Sequence, residues 1–237
     1  MYMSFHVGTI GAQNSLERLS VISNNLANIN NTGFKPKSVA FSELINYNLN
    51  DSPEAVTELQ AGAGMKVART YTDFHASAVT QTGNQYNFAI MQDNAFFMVQ
   101  DPATDEISYT RNGDFHSGEM DGEFYLTAQN GKFVLDADGE PIRVDQEGWA
   151  QNMAVFSFEN PSRLISIGDN EYVHSDGDVE AIEVENPQLV QSALENSGTD
   201  LSKEMVNMIE SQKAFSYAVK MVTTSDEVIQ TINSLRG

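Results

Sequence analysis

The asparagine-rich run at residues 23–35 holds the side chains best suited to specific hydrogen-bond chemistry in this sequence. It reads Ser-Asn-Asn-Leu-Ala-Asn-Ile-Asn-Asn-Thr-Gly-Phe-Lys. Asparagine favours caps and turns over helix interiors, so five asparagines in eight residues are a poor choice for a free helix surface. We interpret them as amides that hydrogen-bond a neighbouring surface or shape a helix end. An ordinary asparagine-rich cap and turn is the alternative.

Residues that could support catalysis or hold a metal do not form a recognisable set. The four histidines, at 6, 75, 116 and 174, share no metal-ligand spacing, and no Walker loop, nucleophile elbow, HExxH or GxGxxG motif occurs. The run Asp136-Ala137-Asp138-Gly139 has glycine at its fourth position, whereas an EF-hand loop needs glycine at the sixth. We therefore predict a hairpin turn there, and no enzymatic activity, metal or cofactor for the chain.

Charge separates the two ends of the chain from its middle. The 237 residues carry a formal net charge of −20, and there is no cysteine. Residues 1–42 carry +2 and residues 201–237 carry zero, which leaves −22 for residues 43–200. This balance argues against a nucleic-acid partner, because phosphate binding needs clustered Lys and Arg. Near-neutral ends can be buried against copies of themselves, while an acidic middle belongs in solvent; an ordinary acidic protein with less acidic ends is the alternative.

Membrane insertion and a cleaved signal peptide are not expected from the sequence. No apolar run reaches the ~18 residues of a membrane-spanning helix. The first residues, MYMSFHVGTIGAQNSLERL, have neither a basic leader nor a continuous apolar core.

Both chain ends have the periodicity of long amphipathic helices. Four- and three-residue steps predict one helix from Ser4 to about Asn30 and a second from Thr199 to Gly237, which Thr199 or Asp200 would cap. A helix that long at a chain end needs a partner, so we predict that both apolar stripes are assembly surfaces. The N-terminal stripe comprises Phe5, Ala12, Leu16, Leu19 and Leu26. The C-terminal stripe, which drifts around the helix beyond Val222, comprises Leu201, Met205, Met208, Phe215, Val219, Val222, Val228, Ile232 and Leu235.

Between the helices the pattern is typical of β-structure. From residue 84 to 185 short apolar runs alternate with Asx-Gly pairs, whose positive φ angles suit tight hairpins. The pairs are Asn112-Gly113, Asp121-Gly122, Asn130-Gly131, Asp138-Gly139 and Asp176-Gly177. The predicted fold class is α+β, with an antiparallel all-β domain inserted between two long helices. We expect an N-terminal helical segment at 1–37, an extended or irregular segment at 38–80, the β-domain at 81–190 and the C-terminal helix at 191–237, with residues 188–197 as the link to that helix.

The asparagine-rich run resembles the signature of the bacterial flagellar rod and hook proteins, the axial family of the basal body. That signature reads approximately NNLANxxTTGFK, and Asn31 stands where many members have Thr. The matching residues are Asn24, Asn25, Leu26, Ala27, Asn28, Thr32, Gly33, Phe34 and Lys35. Residues 82–113 are similar to the family's central β-region and residues 204–215 to its C-terminal helix. The segment 59–85 is similar to the distal rod proteins, which we favour, and to the proximal rod proteins that carry a β-domain.

The resemblance implies a structural subunit of the flagellar rod. The terminal helices would form the inner coiled-coil layer of a hollow tube, with residues 38–80 as an outer extension and the β-domain facing outward. Such subunits leave the cytoplasm through the flagellar type III export apparatus without cleavage. They polymerise helically with copies of themselves and with other rod and hook subunits into the drive-shaft of the basal body, which transmits torque for motility.

The rival hypothesis is a secreted β-sheet module that binds carbohydrate or protein and carries helical oligomerisation arms. It would need an exposed aromatic cluster. Trp149 is the single tryptophan, and Tyr86, Tyr109 and Tyr125 are not obviously clustered in the sequence.

Overall fold

The chain folds into two compact units that interleave along the sequence. The computed structural model describes residues 2–44, 47–48, 60–62, 64–120, 122–145, 148–174 and 181–236. Residues 1–27, 37–71 and 200–237 form a helical unit, and residues 28–36 and 72–199 form a β unit. The predicted class is confirmed, because an antiparallel β-domain is inserted in the sequence between two terminal helices. Within the described ranges no helix is long and apolar enough to cross a membrane.

The helical unit consists of two long helices and a β-ribbon. Helix α1 is Tyr2–Ala27 and helix α2 is Leu201–Arg236. The ribbon pairs β1 (Lys37–Glu43) with β4 (Met65–Thr72), and β2 (Tyr47–Asn48) with β3 (Gln60–Ala61). Asp200 caps α2 as predicted, since its Oδ1 accepts hydrogen bonds from the backbone N–H groups of Ser202 (2.9 Å) and Lys203 (3.2 Å).

The two helices pack antiparallel along a seam that is mostly small and polar on α1 and combines small, polar and large apolar side chains on α2. Ser4 Oγ lies 3.3 Å from Ser225 Oγ at one end, and Asn25 Nδ2 lies 3.2 Å from Glu204 Oε1 at the other. The seam positions are buried or half-buried and recur at steps of four and three on both helices. On α1 they are Ser4, Gly8, Gly11, Ser15, Arg18, Ile22 and Asn25. On α2 they are Glu204, Met208, Ser211, Phe215, Ala218, Val222, Ser225 and Ile229.

The β unit is built around one branched nine-stranded sheet and two short strand pairs. The strands of the sheet are β7 (Ala95–Gln100), β8 (Ile107–Thr110), β9 (His116–Met120), β10 (Glu123–Thr127), β11 (Phe133–Val134), β12 (Val155–Phe158), β13 (Ile165–Gly168), β14 (Glu171–Val173) and β15 (Ala181–Glu183). They run in the order β13-β14-β8-β7-β11-β10-β9, with β12 joining β7 to β15. Single turns of 3-10 helix lie at Trp149–Asn152 and Pro161–Arg163.

Strand β7 lies at the centre of this sheet and is buried on both faces. Successive side chains of a strand point to opposite faces. Phe97 and Val99 therefore enter one apolar cluster, and Phe96 and Met98 enter the other. This is why the strand reads as a continuous apolar run in the sequence.

The segment 188–197, predicted to be a link, instead contains two strands. β16 (Leu189–Gln191) pairs with β6 (Phe88–Ile90), and β17 (Ala193–Glu195) pairs with β5 (Val79–Gln81). The prediction was wrong because each strand has only three residues and its partner lies far away in the sequence. Ser192, with φ of 59°, also interrupts the alternation between them.

Three of the predicted Asx-Gly turns have the expected backbone and one does not. Gly122, Gly131 and Gly139 have φ of 83°, 84° and 82°. For Asn112-Gly113 the prediction of a positive φ was wrong, because the backbone of Gly113 is not in the left-handed region. A Cβ there would lie 1.7 Å from the carbonyl oxygen of Phe88, so this glycine permits a close backbone approach. Asp121 and the pair Asp176-Gly177 lie outside the described residues.

We predict opposite effects for alanine at the two glycines of the seam. A Cβ at Gly11 would lie 3.7 Å from Ala218 Cβ, so Gly11→Ala should stabilise α1 by about 0.5–1 kcal/mol through helix propensity. A Cβ at Gly8 would lie 2.9 Å from Val222 Cγ2 and 3.3 Å from the carbonyl oxygen of Ala218. Because valine is stiff at χ1, Gly8→Ala should lose about 1 kcal/mol or more through overpacking. Thermal unfolding followed by circular dichroism at 222 nm measures both, and equal gains would contradict the close approach at Gly8.

Candidate functional site

The asparagine-rich run is divided between the two units. Residues 24–27 form the last turn of α1, whereas residues 28–36 belong to the β unit. In α1, Asn25 is the most enclosed, at 1% exposure, while Leu26 is half-buried and Asn24 and Ala27 are exposed. Asn25 Nδ2 donates to the carbonyl oxygen of Lys37 (2.8 Å) and to Glu204 Oε1 (3.2 Å), and its Oδ1 accepts from the N–H of Lys37 (2.9 Å). One amide thus holds the start of β1 and the first turn of α2.

The second part of the run packs into the β unit through backbone contacts that require glycine. Thr32 Oγ1 donates to Asn112 Oδ1 (2.7 Å), and the N–H of Gly33 donates to the carbonyl oxygen of Glu195 (2.8 Å). Gly33 has φ of 66°, and a Cβ there would lie 2.6 Å from the carbonyl oxygen of Arg111. Both the dihedral angle and the space therefore exclude other residues at this position. Phe34 is buried next to it.

Lys35 ends in a buried cluster with Glu195 and Arg111. Its Nζ lies 2.7 Å from Glu195 Oε1 and also donates to the carbonyl oxygen of His75 and to Ser77 Oγ. An ammonium group has three donors, so all of them are used. The Lys35 side chain is 0% exposed and that of Glu195 1% exposed.

Arg111 completes the cluster with every donor bonded. Its Nε lies 2.9 Å from Glu195 Oε2 and its Nη2 lies 3.3 Å from Glu195 Oε1. The remaining guanidinium protons are donated to the carbonyl oxygens of Ile90, Gln92 and Ala95. A guanidinium has five N–H donors in a fixed fork, so the polar network is satisfied although it is fully enclosed.

The electrostatics of the cluster explain why its members depend on one another. Burial lowers the pKa of the Lys35 ammonium, and the neighbouring Arg111 lowers it further, while Glu195 opposes both effects. Two cations share one carboxylate, so removing the carboxylate would leave like charges together in a low-dielectric interior. Sequence reasoning named Lys35 through the family signature but missed Glu195 as a site residue. The sequence did hold one signal for it, because Glu195 is the single charged residue in the stretch 186–199.

A hydrogen-bonded pair on the surface lies beside this cluster. His75 Nδ1 contacts Asp73 Oδ1, and both side chains are exposed. The hydrogen bond that the His75 ring donates to Asp73 raises the pKa of His75. Partial burial alone would raise the pKa of Asp73, but hydrogen bonds from the His75 side chain and backbone outweigh it and lower that pKa. The pair is joined to the cluster because Lys35 binds the backbone oxygen of His75.

A polar depression of about 580 Å³ borders the asparagine-rich run in the β unit. Amides line most of it, including those of Asn28, Asn112 and Asn170. Its walls can donate and accept hydrogen bonds, and Thr32 and Asn112 already bond each other there. In the part of the chain that the structure describes, no group of three or more His, Cys, Asp or Glu could hold a metal ion.

The N-terminal stripe lies beside the helix seam. Its members follow seam positions by one residue, so they point to one flank of α1. Phe5 is 43% exposed and Leu16 is 51% exposed, whereas Ala12, Leu19 and Leu26 are half-buried. Most of the α1 residues that meet α2 are instead small or polar, with Ile22 as the large apolar exception, and the hydrophobic pattern could not select them.

The C-terminal stripe is divided between the seam and two flanks of α2. Met208, Phe215 and Val222 are half-buried in the seam. Leu201, Met205 and Val219 are exposed on one flank, and Val228, Ile232 and Leu235 are exposed on the other. The drift of the stripe along the sequence therefore corresponds to a change of flank.

The exposed apolar residues form two separate faces. In an antiparallel helix pair, positions that follow the seam by one residue point to the same side on both helices. The shared apolar face comprises Phe5, Ala12, Leu16, Leu19 and Leu26 of α1 with Leu201, Met205, Ile209 and Val219 of α2. The second apolar face lies on the opposite flank of α2 and comprises Tyr217, Met221, Val228, Ile232 and Leu235. Eleven of these residues have large side chains that are at least 38% exposed.

An aromatic platform of the kind that the carbohydrate-binding alternative requires is not formed by Trp149. Its ring packs against Phe88 (5.7 Å between ring centroids) and Tyr86 (5.6 Å), next to the core of the β unit. This position leaves the ring half-buried.

Comparison with known proteins gives three collinear family matches. Residues 5–35 match the flagella basal body rod protein family, residues 90–181 match the flagellar hook protein FlgE/F/G D1 domain, and residues 190–235 match the flagellar basal body rod FlgEFG protein C-terminal family. The first match contains the asparagine-rich run, and the third contains Glu195 and most of α2.

Full-length relatives agree with these matches. The chain is 30% identical to the flagellar basal-body rod protein FlgG of Bacillus subtilis, over 100% of both chains. It is 27% identical to FlgG of Buchnera aphidicola subsp. Baizongia pistaciae, over 92% of this chain and 93% of the relative. It is 26% identical to the rod protein FlgF of Mesorhizobium japonicum, over 95% and 96%.

We predict that the carboxylate of the buried cluster matters more than the lysine. Glu195→Gln leaves two buried cations facing a neutral amide and should cost roughly 3–5 kcal/mol. Lys35→Met leaves the Arg111–Glu195 pair intact and should cost about 1–3 kcal/mol, mainly through acceptors left without a donor. Urea unfolding followed by Trp149 fluorescence reports on the β unit. An equal or larger loss for Lys35→Met would contradict this account.

The stability of the β unit should respond to pH through His75 and Asp73. The Asp73 contribution is present above its unfolded pKa of 3.8 and is lost as pH falls through its lowered folded value. The His75 contribution is present below its unfolded pKa of 6.5 and is lost as pH rises through its raised folded value. We therefore expect His75→Gln to lower the melting temperature slightly at about pH 5 and not at about pH 9. If the variant lowered the melting temperature as much in alkaline solution as in acid, the His75–Asp73 pair would be ruled out as the cause.

Proposed function

The chain belongs to the flagellar basal-body rod protein family, and on this premise we propose that it polymerises helically into the rod as the drive-shaft that transmits torque for motility. Its biochemical role in this proposal is assembly, without catalysis. Its partners are copies of itself and other rod and hook subunits. We propose that the flagellar type III export apparatus delivers it to the rod in the cell envelope without cleavage.

The exposed apolar faces of the helical unit are the observation that carries this proposal. Side chains such as Leu16 (51% exposed) and Met205 (52% exposed) stand in contiguous rows along helices instead of singly. Large contiguous apolar patches on a soluble protein mark interaction sites. Because the shared apolar face and the second apolar face point to different sides, one neighbouring helix cannot cover both. Repeated contacts with at least two neighbours are what a helical polymer provides.

The distribution of charge between the units supports association through the helices. The helical unit has eight basic and ten acidic residues, a formal charge of −2. The β unit has five basic and 23 acidic residues, a formal charge of −18. Like charge therefore opposes contact between β units much more strongly than contact between helical units. We assign the axial core to the helices within residues 1–37 and 191–237, an outer extension to residues 38–80 and the outward-facing domain to residues 81–190.

Among rod subunits we propose the distal type, with the proximal type as the alternative. The basis is the segment 59–85, whose glycines and apolar residues are similar to those of distal rod proteins. We propose export and torque transmission because the resemblance to the rod proteins implies them.

We predict that one charge on the shared apolar face prevents assembly. Leu16→Asp should leave the β unit folded, because Leu16 lies outside its core, and should abolish polymerisation and motility when the variant replaces the wild type. Val219→Asp should behave in the same way from α2. Burying an unpaired carboxylate in an interface costs several kcal/mol, which is enough to remove a polymer contact.

The matched control is Gln13→Asp, which adds the same charge to an exposed position of α1 away from the seam and the shared apolar face. Motility in a strain that lacks the gene and sedimentation of polymers measure assembly, while Trp149 fluorescence checks the β unit. If Leu16→Asp assembled as well as Gln13→Asp, the shared apolar face would not be the interface.

A further inference from the structure

Small residues recur at regular intervals along the seam between α1 and α2, so their packing cannot select a single alignment of the two helices. On α2, small side chains recur at every seventh residue, at Ser211, Ala218 and Ser225. On the first half of α1, Ser4, Gly8, Gly11 and Ser15 face them with no large side chain. Moving α2 by seven residues, about 10 Å at 1.5 Å per residue, would again place small residues against small residues. These contacts permit close packing at several alignments.

One end of the seam has a buried polar pair that does not recur. Asn25 and Glu204 are 1% and 8% exposed, and Asn25 Nδ2 lies 3.2 Å from Glu204 Oε1. The other carboxylate oxygen, Glu204 Oε2, is buried and accepts no hydrogen bond from the described residues. Within the same ranges Glu204 also forms no ion pair, although Arg18 on the facing helix pairs with Glu210 at 3.7 Å. Among the described residues, the Asn25 amide is therefore the one side-chain hydrogen-bond partner of this buried carboxylate.

We propose that Asn25 and Glu204 are positioning residues that set the register of α2 against α1. A single buried polar contact can select the register of paired helices at some cost in stability. If α2 moved by seven residues in one direction, Asn25 would face Ser211. If it moved in the other direction, Asn25 would lie beyond the start of α2. Either shift separates the Asn25 donor from the Glu204 acceptor at this end of the seam.

The same amide couples this register to the β-ribbon. Asn25 bonds both the N–H and the carbonyl oxygen of Lys37, the first residue of β1. One side chain thus sets where α2 lies along α1 and where the ribbon begins. Because all of these contacts lie inside the helical unit, the inference does not rest on the proposed rod assembly.

Engineered cysteine pairs can test the register, because the natural chain has no cysteine. Ser4→Cys combined with Ser225→Cys reports the observed alignment, in which the two hydroxyl oxygens are 3.3 Å apart. Ser4→Cys with Ala218→Cys, or with Ile232→Cys, reports a shift by seven residues in either direction. With Asn25 and Glu204 present, we expect oxidation of the monomeric full chain to crosslink the first pair at least about tenfold faster than the others, which corresponds to about 1.4 kcal/mol between registers.

The test variant combines Asn25→Leu with Glu204→Met, which replaces the polar pair by apolar side chains. We expect the preference for the 4–225 crosslink to fall severalfold and one of the shifted crosslinks to appear, with helicity at 222 nm retained. Glu204→Gln keeps an acceptor for Asn25 Nδ2 and should keep the wild-type preference. An unchanged 4–225 preference in the double variant would overturn the proposal. Loss of all three crosslinks together with helicity would also overturn it, since the pair would then contribute stability and not choice of register.

Discussion

The buried contact of Lys35 and Arg111 with the single carboxylate of Glu195 is the interaction on which the rest of the β unit depends. Its three members come from the end of the asparagine-rich run, from the end of β8 and from β17, which are remote in the sequence. Every donor of both cations is used within the protein, so each neighbouring backbone segment must be in place for the charges to be tolerated. The glycine at position 33 follows from this arrangement, because its backbone lies against that of Arg111.

The helical unit obeys a different constraint. Small and polar residues allow α1 and α2 to approach closely, and this choice leaves large apolar side chains on two outer faces. The pair buries Asn25 and Glu204 while Leu16 and Met205 remain in solvent. An isolated subunit with that distribution has apolar surface that other subunits can remove from water. The near-neutral charge of this unit permits such contacts, and the charge of the β unit disfavours them.

Membership of the rod protein family relates the apolar faces of the helices and the asparagine-rich run to the same role, which is assembly. A rod subunit needs surfaces that associate with other subunits and a signature segment that holds its shape. The asparagine-rich run contributes to both units, since Asn25 bonds across the helical unit and Lys35 is enclosed in the β unit. This division accounts for the chemical mixture of the run, in which amides, a glycine and a lysine each meet a different local requirement.

The sequence by itself determined what local patterns encode. Periodicity was sufficient to locate both helices, Asp200 was a recognisable cap, and Gly131 and Gly139 marked turns because positive φ is a property of a few residues. The family could be inferred from residues 24–35, since their combination is unusual. Tertiary structure alone decided which residues meet. The apolar stripes lie beside the seam, the short strands β16 and β17 form only against distant partners, and Glu195 becomes a site residue only when two cations are buried against it. In each case the deciding free energy comes from a contact between segments remote in sequence, which no local pattern of side chains contains.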